Sequence, residues 1–234
     1  MQDYDDQISR REEIMCAEAL FEGIIHVRGE DVSYDIDFGL TNKGTASTLW
    51  DAPESDADPF VDMKAWANEC RIRGYRTPNV CVMSQNAYDA FIARCKALGY
   101  LDQRNLLNLE VEPEIQADGS YYAGRMRMPN LHIYVYDQYY LDDWTVPDAP
   151  EEKNIVPNGK ILIGSTDMIS TFFYGVLAYS DPVTSTITSV MAERGADSWI
   201  EKDPARRYFR LQGRPLPVPQ ELDSWYVATV AATE

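Results

Sequence analysis

The amino-acid sequence predicts a mixed α+β fold, with most helices in the front half of the chain and most strands in the back half. Two observations favour this fold class. Apolar residues recur at helical spacing in residues 3–22, 60–74 and 84–99, whereas beyond residue 103 they mostly alternate with polar residues, as in strands. The chain has 234 residues, 45% of them hydrophobic, which is enough to bury a sizeable core.

The first helix and the hairpin after it are predicted from a change of period. Residues 3–22 carry one apolar helical stripe, and Gly23 is placed to end it. Between residues 24 and 38 the period becomes two, with Val32 and Tyr34 on the apolar face. This pattern predicts a half-buried β-hairpin.

Residues 58–99 predict a helix, a short buried strand and a second helix. Asp58 is an N-cap candidate followed by a first-turn proline, and the helical pattern continues to Gly74. A strand is predicted over residues 79–83. Ser84 is then predicted to cap a helix that Gly99 ends.

The back half is predicted to be β-rich, with a turn at Asp118-Gly119 and a loop over residues 142–157. The predicted strands cover residues 106–111, 131–136, 160–164, 171–177, 207–212 and 225–230. Pro215, Pro217 and Pro219 stand between the last two strands, and proline has no amide hydrogen for a sheet ladder. We therefore expect a stiff elbow there instead of a strand.

Charge and hydropathy exclude several classes of protein. Lysine and arginine total 21 against 38 acidic residues, a net charge of −17, so sequence-specific reading of nucleic acid is not expected. Apolar runs fall well short of the roughly 20 residues that a membrane helix needs. The charged start of the sequence does not resemble a signal peptide, which predicts folding inside the cell.

The residue inventory predicts no catalytic, cofactor-binding or metal-binding residues. Nucleotide-binding glycine motifs are absent from the sequence. Cys16, Cys70, Cys81 and Cys95 are spaced too widely for a metal knuckle, so we expect free and mostly buried thiols. His26 and His132 stand in strand-like runs and are expected to be packed or surface residues.

Two other functions stay open at this point. Acidic residues between 142 and 152 could supply the carboxylates of a hydrolase or lyase. Tyrosines are concentrated between residues 121 and 140, and such side chains suit the contact surface of a monomeric binding domain. The acids of residues 51–62 and Glu110, Glu112 and Glu114 are better explained as a solvated loop and the polar face of a strand.

Three stretches of the sequence, in this order, resemble the lambda-like major head proteins of tailed phages, the phage major capsid protein E family. They are RREEIMCAEALFEGIIHVRGEDVSYDIDFG from residue 10, VPNGKILIGSTDMISTFFYGVL from residue 156, and WIEKDPARRYFRLQGRPLPVPQELDSWYVATV from residue 199. Residues 64–148 match the family only in general character.

The resemblance implies a structural protein with the Hong Kong 97-type capsid fold. Residues 1–57 would be a peripheral domain with the spine helix and hairpin, residues 58–178 an axial domain, and residues 179–234 return strands that complete the sheet core. Implied partners are copies of the chain in hexamers and pentamers, scaffold and decoration proteins, and enclosed DNA. The implied location is the virion head, with assembly in the host cytoplasm.

The sequence departs from the family at its start. The family usually carries a long segment before the spine helix, which supplies an N-terminal arm and an extended loop. Here the helix begins almost at residue 1. We therefore expect either a fragment of a longer protein or a decayed prophage copy.

Overall fold

A computed structural model describes residues 2–29, 32–52, 56–100, 109–110, 114–115, 120–145, 148–180 and 186–232. It confirms the mixed α+β class. The chain divides into two compact units. We call residues 1–16 and 170–219 the ribbon unit, and residues 17–169 and 220–234 the sheet unit.

The elements follow in chain order. The helices are α1 (Gln2–Ala17), α2 (Pro59–Gly74) and α3 (Gln85–Ala97), with a π-helical turn at Glu18–Glu22 and a 3-10 turn at Leu222–Ser224. The first nine strands are β1 (Ile24–Gly29), β2 (Val32–Asp37), β3 (Lys43–Thr45), β4 (Val80–Met83), β5 (Leu109–Glu110), β6 (Glu114–Ile115), β7 (Ser120–Arg127), β8 (Asn130–Tyr136) and β9 (Tyr139–Asp142). The others are β10 (Glu151–Asn154), β11 (Lys160–Gly164), β12 (Ser170–Tyr174), β13 (Val176–Ser180), β14 (Ile187–Met191), β15 (Gly195–Lys202), β16 (Ala205–Gln212), β17 (Pro215–Pro219) and β18 (Trp225–Thr229).

An eight-stranded sheet forms the core of the sheet unit. Its order is β3-β18-β11-β4-β8-β7-β5, with β6 also paired to β7. The β4–β8 and β18–β3 pairs are parallel, and the other pairs are antiparallel. Successive residues of a strand point to opposite faces, so Ile161 and Ile163 belong to one apolar cluster and Leu162 to another. Burial on both faces explains why β11 is apolar without alternation.

The predicted α2–β4–α3 unit is present, although one predicted cap is not. Asp58 caps α2, because its Oδ1 accepts hydrogen bonds from the amides of Phe60 at 3.0 Å and Val61 at 3.4 Å. Ser84 stands at the N-cap position of α3, but its side chain caps nothing. Its hydroxyl donates instead to Asn86 Oδ1 at 2.8 Å.

The first helix ends where the sequence predicts, and the following hairpin differs in one respect. Gly23 has a φ of 73°, a left-handed conformation that terminates the helical turn before it. The hairpin of β1 and β2 forms, but the prediction that its apolar face is half-buried is wrong, because Val32 and Tyr34 are both exposed. Among the strands that the structure describes, these two make a sheet of their own, so β2 pairs with β1 alone.

Three two-stranded antiparallel sheets make up the strands of the ribbon unit. They are β12–β17, β13–β14 and β15–β16. The single strand predicted over residues 171–177 is wrong in detail, because Gly175 separates β12 from β13. The Gly175 amide donates to the Arg214 carbonyl at 2.8 Å, next to the β12–β17 ladder.

The predicted proline elbow is also wrong, because Pro215–Pro219 is strand β17, paired with β12. The bonded Gly175 and Arg214 pair fixes which β17 residues face the ladder, since hydrogen-bonded pairs alternate along antiparallel strands. The backbone amides of Leu216 and Val218 therefore point toward β12, and the backbone nitrogens of the three prolines point away from it. Their missing amide hydrogens cost the ladder nothing, which is how an edge strand tolerates proline.

The prediction of a single loop over residues 142–157 is wrong, because residues 151–154 form β10, which pairs with β9. The predicted turn at Asp118-Gly119 lies outside the described residues. Of the strand predicted over residues 106–111, only Leu109 and Glu110 are described, and they form β5.

Candidate assembly surfaces

Large apolar side chains are exposed along the ribbon unit. On its strands they are Phe172, Phe173, Val176, Ile187, Val190, Met191, Trp199, Ile200, Tyr208 and Phe209. Scattered exposed apolar residues are common on any protein, but contiguous ones mark interaction sites. These strands are therefore the main candidate for a functional surface.

The hairpin of β15 and β16 has apolar groups on both faces. On one face Trp199 and Tyr208 lie opposite each other, with ring centroids 5.4 Å apart and planes 15° from parallel. Arg210 covers this pair: its guanidinium lies 5.8 Å from the Trp199 ring and donates to Asp197 Oδ2 at 2.9 Å. Such cation–π and stacking contacts stiffen the hairpin while leaving part of each ring in solvent.

On the other face of this hairpin, Ile200 and Phe209 are 70% and 56% exposed. Arg207 lies opposite Ile200, with its guanidinium 5.0 Å from the Phe209 ring. A two-stranded ribbon with apolar side chains on both faces gains little stability by itself, because the side chains of neither face are fully removed from water. Covering by a partner would supply that burial.

The β13–β14 hairpin exposes one aliphatic face. Val176 pairs with Met191, and Ile187 lies two positions along the same face. Met191 is 79% exposed, whereas Leu177, on the opposite face, is fully buried. Leu177 anchors the hairpin, although its cross-strand partner Val190 is 43% exposed. The Met191 face carries no charged side chain at Val176, Ile187 or Met191.

Among the acidic residues between 142 and 152, Asp142 is held in an ion pair with Lys153. Asp142 is only 4% exposed, and its carboxylate accepts from Lys153 Nζ at 2.6 Å and from the Thr145 amide at 3.0 Å. Burial by itself raises the pKa of Asp142, but these hydrogen bonds outweigh burial and lower it. A carboxylate held ionised by a lysine is a structural group and a poor proton donor.

A cleft of about 450 Å³ lies beside this ion pair in the sheet unit. Its walls include Glu18, Glu22, His26, Arg28, Tyr140, Asp142, Trp144, Thr145 and Lys153. His26 is bonded to Asp35 Oδ1 at 2.9 Å and to Glu22 Oε2 at 3.3 Å, so these charged groups already have partners within the protein. Across the described ranges, no three His, Cys, Asp or Glu side chains come close enough together to bind a metal ion.

The remaining candidate residues of the sequence have structural surroundings. Burial raises the pKa of the thiols of Cys70, Cys81 and Cys95, which opposes formation of a thiolate nucleophile. All four cysteines are free. The ring Nδ1 of His132 lies 3.1 Å from the Tyr122 hydroxyl.

The tyrosine-rich segment serves mainly the core of the sheet unit. Tyr121 donates to Gln85 Oε1 at 2.6 Å and packs edge-on against Tyr88. The rings of Tyr122 and Tyr134 lie 5.3 Å apart on neighbouring strands. Among the described tyrosines of the segment, Tyr139 is the exposed one.

Sequence reasoning missed the exposed faces of the β13–β14 and β15–β16 hairpins. The available pattern was apolar residues at consecutive positions, Trp199-Ile200 and Tyr208-Phe209, in strands otherwise dominated by charge. Consecutive apolar residues put one on each face, and a lone ribbon cannot bury both.

No helix in the described part of the chain has both the length and the apolar character needed to cross a bilayer.

The fold is shared with a solved phage-related protein. The crystal structure of a protein described as a prophage capsid protein, from E. coli CFT073, superposes with a TM-score of 0.70 at 18% identity, covering 96% of this chain and 64% of that chain. A phage-related protein from Bordetella bronchiseptica RB50 gives a TM-score of 0.48 at 12% identity, over 93% of this chain and 60% of that one. This chain thus spans about two thirds or less of each protein's length. The first likeness shows that the two proteins share a fold.

The family model described as Phage major capsid protein E matches residues 1–230. The chain belongs to this family. Membership confirms the resemblance and the structural class of the protein, a phage head-shell subunit. A search among curated proteins finds no match.

Proposed function

We propose that this chain builds the shell of a phage or prophage head with the Hong Kong 97-type fold, through contacts between copies arranged in hexamers and pentamers. The observation that carries the proposal is the exposed apolar surface of the ribbon unit, above all the two-faced hairpin of β15 and β16. Repeated modest contacts, multiplied by symmetry, can stabilise a closed assembly. Catalysis has no part in this role.

The charge of the chain suits a container. A net charge of −17 repels nucleic acid, so DNA enclosed by the shell would meet no sequence-reading surface. Scaffold and decoration proteins are the other partners that this role requires. Assembly would take place in the host cytoplasm, and the finished protein would reside in the virion head.

The peripheral and axial assignments belong to this proposal. Residues 1–57, including α1 and the β1–β2 hairpin, would form the peripheral domain, and residues 58–178 the domain around the capsomer axis. Residues 179–234 would return to complete the sheet core. The compact units described above are defined by contacts within one chain, whereas these assignments concern positions in a shell.

Negative-stain microscopy of the native-length gene product, co-expressed with its scaffold, tests the proposal. We expect shells or capsomer rings from the natural sequence. The matched variant Ile200→Ser/Phe209→Ser should fold with an unchanged circular dichroism spectrum yet assemble poorly, since it loses exposed apolar surface only. Folded monomers from the natural sequence, with scaffold present, would overturn the proposal and favour a monomeric binding domain.

A further inference from the structure

Strand β16 carries an unusual charge for this chain. It contains Arg206, Arg207 and Arg210 and no acidic residue, although the whole chain carries −17. Arg210 is already paired with Asp197, while Arg206 and Arg207 are exposed. We call β15–β16, residues 195–212, the basic hairpin, although Asp197 and Glu201 of β15 partly balance its charge on the Trp199 face and Asp203 lies in its turn. Its Arg207 face combines exposed cationic and apolar groups.

The β9–β10 pair has the opposite character. Residues 139–154 contain five acidic residues and one lysine, Lys153, which is tied to Asp142 at 2.6 Å. Glu151, Glu152 and Asp143 are exposed. We call this segment the acidic hairpin.

One face of the acidic hairpin matches the Arg207 face of the basic hairpin. In its register Leu141 lies opposite Glu152, and Tyr139 lies opposite Asn154. Tyr139 and Leu141 are each more than half exposed. Each hairpin therefore offers two large apolar side chains beside charge of one sign, and the two signs are opposite.

We propose that the basic hairpin of one copy binds the acidic hairpin of a second copy. The inference rests on the proposed function and names the surfaces that carry one of its contacts. Two basic hairpins, or two acidic ones, would place like charges together, so the contact joins different surfaces of the two copies. Such head-to-tail contacts generate rings when the rotation between copies closes.

Charge reversal with mixing tests this contact on the folded chain. One variant is Arg207→Glu, and the other is Glu152→Arg, because these two residues lie on the proposed faces, whereas Arg206 and Glu151 lie on the opposite faces. Each alone places like charges together and should weaken self-association at least about tenfold in sedimentation velocity at low ionic strength. Mixed together, the two variants again present opposite charges to each other, so association should return.

A control variant separates this contact from a general charge effect. Arg71→Glu changes net charge as much as Arg207→Glu, at an exposed position on α2. We expect its association to match that of the natural sequence. Circular dichroism and thermal melting confirm that every variant is folded.

Three results would overturn the proposal: unchanged association in both reversed variants, equal loss in the α2 control, or loss that mixing does not restore. Loss from the arginine variant alone, accompanied by weaker binding to DNA, would assign the basic hairpin to nucleic acid instead. Mixing can join copies without forming shells. A heterodimer without shells would therefore support this contact while the shell proposal fails.

Discussion

At the scale of single residues, Arg194 is the most heavily engaged side chain of the ribbon unit. Its Nη1 and Nη2 donate to the two carboxylate oxygens of Glu12 at 2.6 and 2.7 Å, and its Nε donates to Asp5 at 2.9 Å. Forked pairing of this kind is stronger and more directional than a simple ion pair. Arg194 thereby ties α1 to the segment between β14 and β15.

We predict that Arg194→Ala lowers the free energy of unfolding by about 2 kcal/mol, because Glu12 keeps its charge in a mostly buried place without its partner. Urea denaturation measures the change. Arg194→Lys should recover part of the loss, since lysine keeps the charge and lacks the fork. The exposed Arg214→Ala is the matched control, and an equal loss there would contradict the prediction.

His26 makes the sheet unit sensitive to pH. The hydrogen bond to Asp35 is the main cause that raises the pKa of His26 above 6.5, with a further contribution from Glu22. Because the folded state holds this proton more tightly than the unfolded chain, the stabilisation is complete below pH 6.5. It is lost as pH rises through the raised folded pKa.

We predict that the natural sequence is more stable at about pH 6 than at about pH 8.5 by a margin that His26→Gln reduces. Urea denaturation of both proteins at both pH values gives the margin. The difference between the proteins isolates His26, since other titrating groups are common to both. An identical pH dependence in the two proteins would refute this role.

At the scale of elements, β17 illustrates how the spacing of prolines determines whether a strand keeps its backbone hydrogen bonds to a neighbour. Prolines at every second position all face one side of the strand, so the side toward β12 keeps the amides of Leu216 and Val218. The outer side has no amide donors at the proline positions. Such an edge resists pairing with another strand, a recognised protection against aggregation.

We predict that Pro217→Gly lowers the free energy of unfolding by about 1 kcal/mol or more. Glycine widens the conformational freedom of the unfolded chain, and the buried proline ring is lost. Thermal melting measures the effect. The same substitution at the exposed Pro150 serves as control, and an unchanged melting temperature for Pro217→Gly would show that the ring adds nothing.

At the scale of the whole molecule, three of the five tryptophans are buried, Trp144 is partly buried and Trp199 is exposed. Trp50, Trp66 and Trp225 lie in apolar clusters of the sheet unit, and Trp50 also donates to Asp62 Oδ2 at 2.9 Å. Trp199 is 41% exposed on the basic hairpin. A change in its surroundings therefore reports on what covers that hairpin.

We predict that acrylamide quenches the fluorescence of Trp199 in the free chain and that assembly reduces this quenching. The physical reason is that a partner surface would exclude the quencher from an exposed ring. Comparison with Trp199→Phe isolates the contribution of Trp199, because the other four tryptophans are common to both proteins. Equal quenching of Trp199 before and after assembly would place this face of the hairpin outside every interface.

Local features of the sequence determined several elements of the fold. The stripe ending at Gly23, the Asp58 cap and the apolar run at residues 160–164 each specify their element through contacts within a few residues, so they could be predicted. The same holds for the family, because its three motifs follow one another along the chain.

Tertiary structure alone decided the features that depend on distant partners. Pro215–Pro219 became a strand because β12, some 45 residues earlier, supplies its ladder, and nothing local marks that pairing. Asp142 became buried because Lys153 folds back to neutralise it. Val32 and Tyr34 stayed exposed because their sheet stops at two strands. A sequence pattern specifies which side chains share a face, whereas burial depends on which surface of the folded chain covers that face.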